Sequence, residues 1–278
     1  MHLAVVVLAA GESKRLLSRT PKALHPLAGR PLILYSIANA RLLSSQPPIL
    51  VVGHGEDQVR AVLGDSVLYA RQEQRLGTGH AVLQARDLLA GRSEAVLVWY
   101  GDMPLLTAST LQALVQRFQQ ARPAICMLTA ISCDSMGFGR VLRDTSGRVV
   151  AVVEEAVATP EQLAIQELNC GVYCFDADWL WQNLPRLNLS PKGEYYLTDM
   201  VALAANQGLA IEAVTTDNTE EVLGINNRVQ LAEAERIMRH RINEELMLAG
   251  VTIVDPATTY VDYGVTVDAD TTILPSTC

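Results

Sequence analysis

Short, wholly apolar runs separated by helix-spaced segments constrain the fold of this chain more than any other feature. Leu3–Ala9, Ile49–Val52, Val67–Ala70, Ala95–Tyr100 and Ala124–Ala130 are rich in Val, Ile and Leu and end on polar or Gly/Pro punctuation, which reads as strands. Between them, Pro31–Leu43, Glu56–Leu63, Gly79–Leu89 and Ala108–Gln120 repeat apolar residues at helical spacing. A strand that is apolar throughout is covered on both faces, and helices between successive strands make those strands parallel. The pattern predicts an α/β fold with a mixed, mostly parallel sheet flanked by helices. Ligands of such sheets bind beyond the carboxyl ends of the strands.

The rhythm changes after residue 135. Arg140–Arg143 and Arg148–Val153 flank Asp144-Thr145-Ser146-Gly147, a turn signal that predicts a hairpin. A strand over Gly171–Phe175 and a helix over Thr198–Asn206 follow. Next comes a long helix over Arg228–Leu248, whose face is Leu231, Ala234, Met238, Ile242, Leu246 and Ala249. Residues 251–278 place aliphatic and small polar residues in short succession and resemble the first turn of a left-handed, hexapeptide-repeat β-helix. One coil cannot bury its own faces, and solenoids need about three repeats, so an incomplete turn is expected. The expected division is 1–227 as one domain, 228–250 as a linker helix and 251–278 as the partial turn.

Composition narrows the partners. The net charge is −8, with 49% hydrophobic and 19% charged residues among 278, so a sizeable core is expected and disorder is not. An acidic chain lacks the basic face that a nucleic acid requires. No apolar run reaches the ~20 residues of a membrane span. The N-terminus enters a strand without a basic leader, and a cytoplasmic protein is expected. Cys170 and Cys174 have no second pair to complete a zinc site. The five cysteines read as thiols of a reducing compartment.

The stretch Leu8-Ala9-Ala10-Gly11-Glu12-Ser13-Lys14-Arg15, followed by Pro21-Lys22, joins the first strand to the first helix. A loop there can turn backbone N–H groups and cations toward phosphates. Gly11 permits close approach, while Arg15 and Lys22 balance triphosphate charge. An ordinary turn with surface cations is the plainer reading of Gly and one Lys alone. The full string favours phosphate. A dinucleotide site is disfavoured because G-x-G-x-x-G is missing. Gln72 carries an amide that can read a pyrimidine edge, although a surface glutamine before a glycine turn is equally ordinary. His80, at a helix start, reads as structural. Asp102 lies beyond a buried strand, where a carboxylate suits a hard cation, or merely caps the next helix. Glu154 and Asn169 can bond hydroxyls, or be a charged strand end and a turn residue.

Several strings together resemble the sugar nucleotidyltransferases, and among them the uridylyltransferase half of bacterial bifunctional N-acetylglucosamine-1-phosphate enzymes. They are the 8–22 loop, Gln72-Glu-Gln-Arg-Leu-Gly77-Thr78-Gly79-His80-Ala81, Tyr100-Gly101-Asp102-Met-Pro104-Leu105, Gly137-Phe-Gly139-Arg140, Glu154, Asn169-Cys-Gly171, Gly193-Glu-Tyr-Tyr-Leu-Thr-Asp199 and Gly224-Ile-Asn-Asn227-Arg228. The likeness covers Leu3 to about Leu274. It implies a nucleotidyltransferase fold, Rossmann-like in its sheet, with a β-rich sugar-binding lobe.

The resemblance also implies that UMP passes from UTP to N-acetylglucosamine 1-phosphate, releasing pyrophosphate, with Mg2+ held by Asp102 and Asn227. Arg15 and Lys22 then act in catalysis. Leu8, Ala9, Gly11, Gln72, Gly77, Thr78 and Tyr100 bind nucleotide, and Gly139, Glu154, Asn169 and Asn227 complete the substrate site. Ser13 and Lys14 depart from the usual Gly-Thr of the loop, Ala156 from a lysine and Cys170 from a threonine. Lys14 reads either as an extra phosphate contact or as a solvated lysine. Another sugar phosphate, a thymidine nucleotide or a non-catalytic sugar-nucleotide binder are the rival readings. In that family acetyl transfer and trimer contacts belong to the β-helix, so a monomer without acetyl transfer is expected.

Overall fold

The structure is a computed structural model that describes residues 1–12 and 14–278; at Lys14 only the backbone is described. Nine strands of the described residues form one sheet, in the order Ile211–Thr216, Ile125–Ile131, Glu167–Asp176, Ala95–Tyr100, Leu3–Leu8, Ile49–Val52 and Leu68–Arg71. Arg140–Arg143 joins Glu167–Asp176 at one side and pairs with Val149–Val153 to form the expected hairpin. All the apolar runs of the first half are strands within a residue or so of their expected ends, and Leu3–Leu8 lies parallel to both Ile49–Val52 and Ala95–Tyr100. The fold is mixed α/β with a mostly parallel sheet.

Three details differ from expectation. The strand expected at Gly171–Phe175 runs from Glu167 to Asp176 and is antiparallel to all three strands it pairs with, with a register shift against Ile125–Ile131 between Asn169 and Tyr173. Ile211–Thr216 adds an edge strand parallel to Ile125–Ile131. The helix expected over Gly79–Leu89 is two short ones, Thr78–Leu83 and Arg86–Leu89.

Alternation along the first strand builds two cores. Val5 and Val7 point to one face and pack with Leu97, Trp99, Ile33, Ile37, Leu111, Leu114 and Phe118. Val6 and Leu8 point to the other and pack with Val96, Val98, Val82, Leu180, Met200 and Val201. Each face is thereby closed by helices, as strands apolar on both faces require. A third core lies under the Arg228–Leu248 helix, where Ala234, Ile237, Met238, Ile242 and Leu246 meet Leu27, Leu32, Tyr35, Leu105 and Ile225. Ile237 belongs to this face although the spacing did not include it, and Ala249 lies past the helix end and is exposed.

Residues 251–278 double back so that Thr252–Ile253 pairs in parallel with Thr272–Ile273. The buried Asn243 amide of the long helix donates to the carbonyls of Pro256 and Thr259 at 3.0 and 3.1 Å. Those bonds, with buried Val251 and Ile253, fix the segment to the third core. No helix among the described residues is long and apolar enough to cross a membrane.

Candidate active site

The parallel strands deliver their following loops to one edge. There the ladder continues one bond beyond the strands. Ala9 N donates to Val51 O at 2.8 Å, Gln72 N to Val52 O at 2.8 Å and Gly101 N to Leu8 O at 2.9 Å. These bonds set Ala9, Gln72 and Gly101 side by side along a cleft of about 430 Å3. Its wall includes Leu8, Ala9, Gly11, Lys22, Gln72, Gly77, Thr78, Tyr100, Asp102 and Glu154. A second cavity of about 200 Å3, lined by Gly139, Asn169 and Cys170, adjoins it; Tyr100, Asp102 and Glu154 line both.

At this junction the Lys22 ammonium forms an ion pair with Asp102 Oδ2 and donates to Asn226 Oδ1 at 2.8 Å. Ile225 N donates to Asp102 O at 3.0 Å, which brings the 224–227 turn to the strand end. Asn227, expected beside Asp102, is turned elsewhere. Its Oδ1 accepts from Gln230 N at 2.9 Å and caps the Arg228–Leu248 helix. The expected pairing is therefore corrected by one residue. The helix consumes Asn227 to satisfy an orphan N–H, and the preceding asparagine lines the second cavity.

The oxygens of Asp102 and Asn226 already share a cation, the Lys22 ammonium, and both are the hard donors that Mg2+ prefers. No group of three or more His, Cys, Asp or Glu suited to a metal occurs among the described residues. A divalent ion here would rely on substrate phosphate and water for its remaining ligands, as Mg2+ commonly does. The donor set fits.

Gln72 is buried in the wall of the larger cleft. Its amide nitrogen donates to Gly77 O at 3.0 Å and lies 3.1 Å from His80 Nδ1. Among the described residues its Oε1 has no hydrogen-bond partner. His80 orients Gln72 and accepts its structural reading, with Gln84 on its other side. Gly77 has φ +95° and would place a Cβ 2.6 Å from Tyr195 O. That closeness lets Tyr195 N donate to Leu76 O and Gly79 N to Tyr195 O, at 2.7 and 2.8 Å. Thr78 Oγ1 accepts from Leu197 N at 3.0 Å and faces the Tyr100 hydroxyl. Burial, then the charges of Glu154 and Asp102, push the Tyr100 phenol up, so it stays protonated.

In the second cavity, Asn169 Oδ1 accepts from Tyr173 Oη at 2.8 Å and from Gly171 N at 3.2 Å. Its Nδ2 makes no hydrogen bond among the described residues. Gly171, at φ +73°, makes room for the Tyr100 ring, with which an added Cβ would collide. Thr198 Oγ1 donates to Glu154 Oε1 at 2.9 Å. Burial raises the Glu154 pKa; the Thr198 bond opposes this, and nearby Asp199 and Glu194 add to it. Burial likewise pushes the Cys170 thiol up, leaving it a small apolar wall group. Ala156 is exposed and lines neither cavity.

Arg15 is exposed on the loop and also lines neither cavity, against expectation. Ser13 and the Lys14 side chain, both singled out in the sequence, lie outside the described residues. Arg75, Glu12, Glu194 and Tyr196 line the cleft without having been singled out. Arg75 sits inside the Gln72–Ala81 string, where its charge was the available signal.

Residues 5–162 match the family model described as the MobA-like NTP transferase domain. The chain belongs to this family. Among curated relatives, the Bifunctional protein GlmU of Pelobacter propionicus is 44% identical over 99% of this chain and 60% of its own length. That of Exiguobacterium sp. is 44% identical over 100% of this chain and 62% of its own length. The chain thus spans about 60% of the length of the curated relatives it matches. A solved UDP-glucose pyrophosphorylase, complexed with UDP-glucose, superposes with a TM-score of 0.70 over 87% of this chain and 100% of that one, at 17% identity. That likeness shows the shared fold of the MobA-like domain.

Proposed function

We propose that this MobA-like domain transfers UMP from UTP to N-acetylglucosamine 1-phosphate, forming UDP-N-acetylglucosamine and pyrophosphate. The observation that carries the reading is the junction of two cavities at Tyr100, Asp102 and Glu154, with Lys22 placed at the same point. The larger cavity takes the nucleotide. Gln72 Oε1 accepts from the uracil imide, and Leu8, Ala9, Gly11, Gly77 and Thr78 shape the walls. The smaller takes the amino sugar, where Asn169 Nδ2 donates to an oxygen and Glu154 accepts from hydroxyls. Gly139 keeps that wall low, since a Cβ there would press on Val152 and Val153. The relatives named GlmU support this substrate pair.

The transfer needs no covalent nucleophile, because positioning and charge neutralisation supply most of the catalysis of such displacements. The sugar phosphate oxygen attacks the α-phosphorus in line and pyrophosphate leaves. Lys22 neutralises charge that builds on the triphosphate. Mg2+ held by Asp102 and Asn226 would supply Lewis-acid stabilisation of the phosphate oxygens. Arg15, exposed on the neighbouring loop, is a contact for the far phosphates only.

A substrate panel tests the reading. UTP with N-acetylglucosamine 1-phosphate is expected to give the highest kcat/KM for pyrophosphate release, ahead of glucose 1-phosphate and of dTTP. A higher value for either alternative would displace the assignment.

A further inference from the structure

The cleft must accept a polyanion, yet its described wall carries four carboxylates, Glu12, Asp102, Glu154 and Glu194, against two cations, Lys22 and Arg75. In the free protein Lys22 is held by Asp102 and Asn226, and Arg15 lies outside the lining. Arg75 is the other cation on that wall. It follows Gln72 by three residues, on the loop beyond the Leu68–Arg71 strand, and its guanidinium forms an ion pair with Glu12. Glu12 directly follows Gly11 on the opposite loop, so the pair spans the cleft mouth between the two loops that would enclose a nucleotide.

Gln72 is buried and fixed, whereas the Arg75 side chain is 47% exposed and that of Glu12 31%. An ion pair so exposed is weak and exchanges readily. A phosphate offers the guanidinium the same two-oxygen geometry as a carboxylate with more charge, and arginine binds it bidentately. We infer that Arg75 is a further nucleotide-binding residue, parked on Glu12 in the free protein and transferred to the phosphates of the incoming nucleoside triphosphate. This inference rests on the proposed UTP-dependent activity and adds one residue to it. Glu12 is then a holding group whose carboxylate the nucleotide displaces.

Arg75→Gln and Glu12→Gln separate this role from a clasp that merely fastens the two loops. Both variants are measured for UTP binding by calorimetry with Mg2+, and for the KM of each substrate in pyrophosphate release. Arg75→Gln is expected to weaken UTP about three- to tenfold, the range left to a charged phosphate contact after discounting for exposure. The KM for the sugar phosphate should hold, and added salt should narrow the difference. Glu12→Gln is expected to leave UTP affinity unchanged or to strengthen it, because it frees Arg75 and removes a repelling charge. Native UTP affinity in Arg75→Gln overturns the inference. So does a loss in Glu12→Gln equal to that in Arg75→Gln, which would make the pair a fastener. Wild-type protein that neither binds nor turns over UTP would bring down the proposed function itself, and this inference with it.

Discussion

Asp102 lies two residues beyond the mostly buried strand Ala95–Tyr100, and its carboxylate and the Asn226 amide oxygen both meet the Lys22 ammonium at the join of two cavities. Asp102→Asn changes little in size but removes the charge that holds a cation there. The variant should fold normally by circular dichroism and lose at least ~10²-fold in kcat for pyrophosphate release. The adjacent asparagines should separate cleanly. Asn226→Ala is expected to cost activity with little change in melting temperature. Asn227→Ala, which removes the helix cap, should cost about 1 kcal/mol of stability by denaturant titration while keeping activity. This pair marks where sequence reading stopped. Gly224-Ile-Asn-Asn-Arg signalled an amide beside the site, but which neighbour caps and which faces inward depends on the chain's angle of entry into the helix. Glu154 gives a pH test. Burial raises its folded pKa, so the native state keeps the proton to higher pH than the unfolded chain does, and ionisation costs stability. That cost is absent below the ordinary value of 4.5 and complete above the raised folded pKa. Glu154→Gln should therefore melt higher than wild type at neutral pH, with the gap closing on acidification. Its KM for the sugar phosphate should rise roughly tenfold. Wild-type melting behaviour across the whole range would contradict the burial argument.

Among the elements, the 72–79 loop shows how backbone chemistry makes a binding wall. Gly77 adopts a conformation open essentially to glycine, and its missing Cβ lets the Tyr195–Leu197 segment bond to both sides of the loop. Gly77→Ala should cost roughly 1–3 kcal/mol in backbone strain alone, and more from the contact with Tyr195. The resulting shift of Gln72 should raise the UTP KM beyond that of the sugar phosphate, which steady-state kinetics would show. The glycines of Leu-Gly-Thr-Gly-His were visible in the sequence, but their partner, more than a hundred residues away, was not. Strand direction was also hidden. Glu167–Asp176 is buried along its length like the strands beside it, and hydrophobic pattern carries no sign of direction. Ile211–Thr216 escaped notice because it is a half-buried edge strand with Glu212 and two threonines, short of the continuous apolar run that marks the central ones.

On the scale of the whole molecule, strands apolar on both faces and helices between them were enough to give the layered α/β plan, because only that arrangement covers both faces. The attachment of residues 251–278 was less legible. Its anchor, the buried Asn243, sits on a helical face that spacing alone assigns to packing. Deleting residues 251–278 uncovers the third core and removes buried Val251 and Ile253 from it. Two such side chains are worth about 3–6 kcal/mol, so the shortened protein should melt well below the full chain. The cleft and its junction residues lie entirely outside that segment, and nucleotidyl transfer should persist at temperatures where the fold holds. The central claim is that one cleft joins a nucleotide to an amino-sugar phosphate through the Lys22–Asp102–Asn226 junction. The direct measurement follows both products from UTP, N-acetylglucosamine 1-phosphate and Mg2+, in wild type and Asp102→Asn. Equal amounts of pyrophosphate and UDP-N-acetylglucosamine are predicted from wild type, with both nearly abolished in the variant. Pyrophosphate without the sugar nucleotide, or undiminished turnover in folded Asp102→Asn, would contradict the account.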